Sequence, residues 1–285
     1  MTQLNKSAIL VKIFYLTDGY VETEIMHRFF KSLILLCLLF MFILLLGCAQ
    51  EQRQNELSVF AAISLKDALT EIGATFIVEN QVKVYYNFAA STTLQRQLEK
   101  GASGDVFISA SPRQVVALET NGLLEAESRR NLLTNRLVLV ADETAEISVE
   151  TPTNLVVSEI SRIAIGHPDI VPAGAYAKEA LTYFGLWETL RPKLIFGTDV
   201  RATLAYVTAG NVDIAVVYKT DTTLTEDINV LYQLPPEAYT PIIYPAVVMK
   251  ESPQKQLARR FINYLQSMES GEIFEKHGFT VLASK

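Results

Sequence analysis

The feature that most constrains this chain is an alternation. From residue 57 onward, apolar runs of strand length are followed repeatedly by segments whose apolar residues recur at helical spacing. Leu57-Ser58-Val59-Phe60-Ala61-Ala62 reads as a strand, and residues 64–79 follow with Leu65, Leu69, Ile72 and Phe76 at steps of three and four. The pattern predicts further strands at 82–86, 106–109, 136–140, 162–166, 193–196, 213–218 and 244–250. It predicts helices at 91–101, 112–121, 174–184 and 200–209, one from 252 to about 268 with Ser252 as N-cap and Pro253 at the first position, and a last one at 271–277. Strands and helices alternating at this spacing predict parallel sheets with crossover helices. The length after residue 47 suits two α/β lobes better than one large sheet.

Ahead of that pattern, residues 33–46 read LILLCLLFMFILLL, fourteen apolar residues without a break. A membrane-spanning helix needs about 20. The run follows a short basic segment, Met26-His27-Arg28-Phe29-Phe30-Lys31, and ends at Gly47-Cys48, the layout of a secretory signal. The tail Leu45-Leu46-Gly47-Cys48 resembles the bacterial lipobox. That resemblance implies acylation of Cys48, which becomes the first residue of an exported, membrane-anchored chain on the outer side of the cell envelope. On this reading Met26 is the initiator, residues 1–25 lie upstream of the signal, and residues 48–56 form a polar tether.

The rest of the composition excludes several classes. The net charge is −6, and residues 48–285 carry 21 Lys+Arg against 28 Asp+Glu, which is no footprint for nucleic acid. The chain has 2 Cys and 3 His. Cys37 leaves with the signal, so no disulfide is expected, and His167 and His277 have no metal-ligand spacing. Ser252-Pro253-Gln254-Lys255 matches S-x-x-K, but the partner motifs are missing and a helix N-cap accounts for the serine. No Walker A or G-x-S-x-G run occurs. The reading expects no enzyme and no cofactor.

Four segments share one arrangement: an extended run, a small or hydroxyl residue, then a helix start. They run through Ala62-Ile63-Ser64, Ala89-Ala90-Ser91, Pro172-Ala173-Gly174 and Thr198-Asp199-Val200. A helix start carries free backbone N–H groups and about half a positive charge. Several converging on one cleft would bind an anion without Lys or Arg. Taken singly, each serine and Asp199 is most simply a cap.

With these segments the chain resembles the ModA-type molybdate-binding proteins, the solute receptors of molybdate ABC transporters. The resemblance runs over about 57–282, through FAAISLKDAL (60–69), NFAASTTLQRQLEKGASGDVFISAS (87–111), IAIGHPDIVPAGAYAKEAL (163–181), TDVRATLAYV (198–207), DIAVVYKTD (213–221) and EIFEKHGF (272–279). It implies a two-lobed, periplasmic-binding-protein-like fold of type II. The cleft between its lobes holds a dehydrated tetrahedral oxyanion by hydroxyls and amides, with molybdenum present only inside the anion. Carried over, the hydroxyls fall on Ser64, Ser91 and Tyr218, and the backbone amides on Ala62, Ser64, Ala173 and Val200. His167 stands where the family often has Asp, and reads as a loop residue beside the cleft. Ile63 is bulkier than the residue usual before the first serine. The implied lobes are 57–134 with 241–285, and 135–240, hinged near Asn135 and near 235–244. The implied partners are molybdate or tungstate and a membrane permease with its ATPase, with the chain acting as a monomer. Sulfate or phosphate is the alternative ligand.

Overall fold

The computed structural model describes residues 31–37, 41, 55–157 and 159–283. The chain separates into an N-terminal segment, Met1–Gln54, and a compact unit, Asn55–Lys285. In the first, residues 31–37 are helical. The expected start at Met26, the Gly47-Cys48 junction and residues 48–54 of the tether lie outside the described residues. No helix among the described residues is long and apolar enough to cross a membrane.

The strands of the compact unit are β1 (Glu56–Ala62), β2 (Lys83–Ala89), β3 (Val106–Ile108), β4 (Arg130–Thr134), β5 (Leu137–Asp142), β6 (Ile163–Gly166), β7 (Leu194–Gly197), β8 (Ile214–Tyr218), β9 (Ile228–Gln233), β10 (Ile243–Val248) and β11 (Thr280–Val281). The helices are α1 (Lys66–Asn80), α2 (Ser91–Glu99), α3 (Pro112–Thr120), α4 (Pro172–Tyr183), α5 (Trp187–Leu190), α6 (Val200–Thr208), α7 (Lys255–Tyr264) and α8 (Met268–Lys276). They form two sheets, ordered β11-β4-β10-β3-β1-β2 and β7-β6-β8-β5-β9. The α/β, two-lobed plan is therefore present as two sheets, each with its own helices.

The sheets are mixed, which corrects the expectation of parallel ones. β1 pairs in parallel with β2 and β3, and β6 with β7 and β8. β10 runs antiparallel to β3 and β4, and β5 antiparallel to β8 and β9. The strands that break the parallel rule are those by which the chain leaves one sheet and enters the other. It passes from β4 to β5 through Asn135-Arg136 and returns from β9 to β10 through 234–242. Those strands arrive from the opposite side with no crossover helix to reverse them. β4, β9 and β11 carry no clear alternation: β9 is a half-exposed edge strand and β11 has two residues.

Burial explains the elements that periodicity does predict. β1 is a central strand covered on both faces. Leu57, Val59 and Ala61 join the main core, while Phe60 joins Phe107, Val247, Leu94, Leu98, Val115 and Leu118 beneath α2 and α3. Such double burial removes the polar face that an open sheet would show. α3 starts as predicted, with Pro112 at its first position and Ser111 Oγ accepting the Arg113 N–H at 3.3 Å. Ser252 does not cap a helix. Its hydroxyl donates to Asp105 Oδ1 at 2.6 Å and accepts the Gln254 N–H at 3.0 Å, and α7 begins only at Lys255. The buried Asp105 carboxylate, which also takes the Ser58 N–H, draws the serine away from the helix.

Candidate functional site

Sheet register decides which loops meet. Ala62 and Ala89 are partners at the ends of β1 and β2. The turns beyond them therefore leave the first sheet side by side, one carrying Ser64 in the 3-10 turn Ile63–Leu65, the other Ser91 as first residue of α2. Gly166 and Gly197 are partners at the ends of β6 and β7. The loops beyond them lead to Ala173 in α4 and Val200 in α6. β8, parallel to β6, ends on Tyr218. All five exits lie at the carboxyl ends of parallel strands, where open α/β sheets place ligands.

Ala62, Ser64, Ser91, Ala173, Val200 and Tyr218 all line one small cavity. Each is buried, the most exposed being Ser64 at 6%. The rest of the wall comes from Ala, Ile, Val and Pro, and among the described residues no ionisable side chain other than the Tyr218 phenol lines it.

The helix starts aimed at this space are open. Ala62, Ala90 and Val171 precede their helical turns with no side-chain cap, so the first N–H groups keep their hydrogen-bonding capacity. Pro172 at the first position of α4 removes one donor that would otherwise need a partner. In α6, Asp199 accepts the Ala202 N–H at 2.9 Å, which leaves the Val200 N–H outside that cap. α4 reaches its place because Gly174 lets the helix backbone touch β6; a Cβ there would overlap the Gly166 carbonyl.

The three hydroxyls are poised differently. Ser91 Oγ accepts the Ala110 N–H at 3.0 Å, so its own proton is free to point at a ligand. Ser64 Oγ lies 3.2 Å from the Tyr244 hydroxyl. Tyr244 in turn accepts from Asn135 Nδ2 at 3.2 Å, and the same amide group donates to Thr220 Oγ1 at 2.9 Å. The Tyr218 hydroxyl is buried and makes no hydrogen bond. Burial first, then the neighbouring Tyr244, Tyr176 and Asp221, holds its pKa well above the usual value, so it stays protonated. A buried donor without a partner is costly, and a ligand acceptor would satisfy it.

His167 does not line the cavity. Its ring packs on Phe196 at 5.2 Å and its Nδ1 accepts the Asp169 N–H at 3.3 Å. Sequence reasoning did not single out Tyr244, Arg201 or Asp221. Nothing in the local pattern around Tyr244 marks it, since its partner Ser64 is 180 residues away. Arg201 and Asp221 stand inside conspicuous runs, TDVRATLAYV and DIAVVYKTD, but one residue and three residues beyond the positions chosen.

Asp221 is 1% exposed. Its Oδ2 accepts the Tyr218 N–H at 3.0 Å and its Oδ1 lies 3.6 Å from Arg201 Nε. Burial pushes its pKa up to about 7; Arg201 and the Tyr218 N–H oppose the rise, and Asp199 and Asp67 add to it. An unfolded aspartate ionises near pH ~3.9. Between about pH 4 and pH 7 the native state therefore holds a proton that the unfolded chain has lost, so stability falls as pH rises through that window and levels off above it. The expected result is that wild-type protein loses more of its urea midpoint between pH 5 and pH 8 than Asp221→Asn does. Equal losses would show that Asp221 does not titrate there.

Comparison with known proteins agrees with this architecture. A family model described as bacterial extracellular solute-binding protein matches residues 57–280. A Bacillus subtilis protein, YvgL, provisionally named an ABC transporter substrate-binding lipoprotein, is 37% identical over 88% of this chain and 99% of its own. The molybdate-binding protein ModA of Escherichia coli is 35% identical over 80% of this chain and 90% of its own. A solved structure, the substrate-binding domain of a provisionally assigned molybdenum ABC transporter from Clostridium difficile, superposes with a TM-score of 0.65 at 36% identity. It covers 80% of this chain and 99% of that one.

Proposed function

Because this chain belongs to the bacterial extracellular solute-binding protein family, we propose that its cavity binds molybdate and delivers it to the permease of an ABC transporter. The observation that carries the reading is the Tyr218 hydroxyl, buried and without a partner in a small cavity that also presents Ser64, Ser91 and the starts of α2, α4 and α6. Donors without counter-charges suit a small anion stripped of water, and relatives of this chain are named for molybdate or molybdenum. Tungstate, close to molybdate in size and shape, is taken with it. The ligand set is Ser64, Ser91 and Tyr218 through hydroxyls, and Ala62, Ala173 and Val200 through backbone amides.

The mechanism is capture, closure and handover. Charge-assisted hydrogen bonds are worth about 1.5–3 kcal/mol each, and they offset the desolvation of a dianion only when already aligned. Lobe closure supplies that alignment. The lobes are 57–134 with 241–285, and 135–240, moving about the two passes at Asn135 and 235–244. The closed form docks on the permease as a monomer, and a separate ATPase drives release. The chain is exported to the cell envelope and held by lipid at Cys48. It catalyses no reaction itself.

Calorimetric titration of residues 49–285, which contain the whole compact unit, with molybdate, tungstate, sulfate and phosphate tests the reading. Tight binding of the first two is expected. No heat and no thermal shift with any of the four would overturn it, and tight binding of sulfate alone would replace only the ligand.

A further inference from the structure

We infer that Arg201 is a positioning residue that ties the cleft shut around its ligand without touching it; this rests on the oxyanion reading of the cavity. Arg201 does not line the cavity, yet its guanidinium reaches the segments that carry three of the proposed donors. It follows Val200 directly at the start of α6. Its Nη2 donates to Asp67 Oδ2 at 2.6 Å, and Asp67 lies in the first turn of α1, three residues after Ser64. Its Nε lies 3.6 Å from Oδ1 of Asp221, whose other oxygen holds the Tyr218 N–H.

The two halves of this contact differ in kind. Arg201 and Asp221 both belong to the second sheet's side of the cleft, and Asp221 is buried. They stay together whether the cleft is open or shut. Asp67 stands on the first sheet's side and its side chain is 41% exposed. Its pairing with Arg201 bridges the two sides, so the ion pair exists only while they are apposed. An interaction present in one state alone shifts the balance toward that state. In a protein whose ligand is enclosed by closure, that shift slows ligand release and leaves capture by the open form unchanged. The arrangement also keeps the arginine off the anion: its guanidinium faces Asp67 and Asp221, and the cavity itself presents only neutral donors.

Asp67→Asn is the informative variant, since a carboxylate so exposed is not needed for folding, whereas Arg201→Gln would leave Asp221 buried beside no cation. Stopped-flow measurement with molybdate is expected to show release about two- to five-fold faster in Asp67→Asn, with the association rate within about two-fold of wild type. Raising salt should speed release from wild type and not from Asp67→Asn. A release rate equal to wild type, or an unchanged salt response, overturns the inference while leaving molybdate binding intact. If wild type binds none of the four oxyanions, the functional reading has failed separately and the latch is read without ligand. Spin labels at Lys100→Cys and Glu188→Cys, on opposite sides of the cleft, should then give a longer or broader distance distribution in Asp67→Asn than in wild type. Identical distributions would overturn it.

Discussion

Ser91→Ala is expected to weaken molybdate binding and to destabilise the ligand-free protein together. Ser91 Oγ has two tasks. It supplies a proton to the cavity, and its lone pair takes the Ala110 N–H at 3.0 Å. Removing the oxygen withdraws a charge-assisted bond from the ligand, worth about 1.5–3 kcal/mol. It also leaves a buried amide unpaired at the end of β3, with a further penalty of about 1–3 kcal/mol on the fold. Titration calorimetry should show affinity down about 10- to 150-fold, and the ligand-free protein should melt earlier as well. Ser64→Ala should lose a comparable ligand term but less stability, because Tyr244 keeps its bond from Asn135. Unchanged affinity in both variants would remove the proposed site.

Gly174→Ala should do its damage through the backbone. At this point α4 lies against β6 so closely that a methyl group would occupy the space of the Gly166 carbonyl. Backbone on both sides leaves nothing to rotate away. The helix must lift, and overpacking of this kind costs about 1–3 kcal/mol, occasionally more. The Ala173 amide, one residue earlier, lifts with it and misses the ligand. The expected result is a lower melting temperature together with molybdate binding weakened at least tenfold. A variant as stable and as tight as wild type would show that α4 does not depend on this contact.

β1, α1, α2, α3 and β8 are written locally, in spacing that survives because one or both faces are buried. The four helix-start loops were reachable from small and hydroxyl residues at strand-to-helix junctions, while the choice of Ala62, Ser64, Ser91, Ala173, Val200 and Tyr218 within and beside them came from the family resemblance. β4, β9 and β11 were not legible, because their pairing comes from strands distant in sequence and their own exposure is mixed. The mixed sheets follow from the same cause. Strand direction is fixed by which sheet the chain has just left, and no window of residues records that. Tyr244 and Asn135 were hidden for a similar reason. Asn135 was expected at a crossing, but its bonds to Thr220 and Tyr244 span 85 and 109 residues. The S-x-x-K run shows the opposite failure. A local cap reading was sufficient on its face, and a buried aspartate 147 residues away redirected the serine.

The Asn135–Tyr244–Ser64 contacts have a direction as well as a geometry. Asn135 Oδ1 accepts the Arg136 N–H at 2.9 Å, which fixes its amide so that Nδ2 faces Tyr244. An amide nitrogen only donates, so the tyrosine oxygen receives there, while between Tyr244 and Ser64 either hydroxyl can be the donor. The contacts join the crossing between the sheets to the cavity wall, and hydrogen bonds linked in such a chain polarise one another. The orientation of a hydroxyl in the cavity wall is thus tied, through Tyr244, to one amide at the pass between the two sheets.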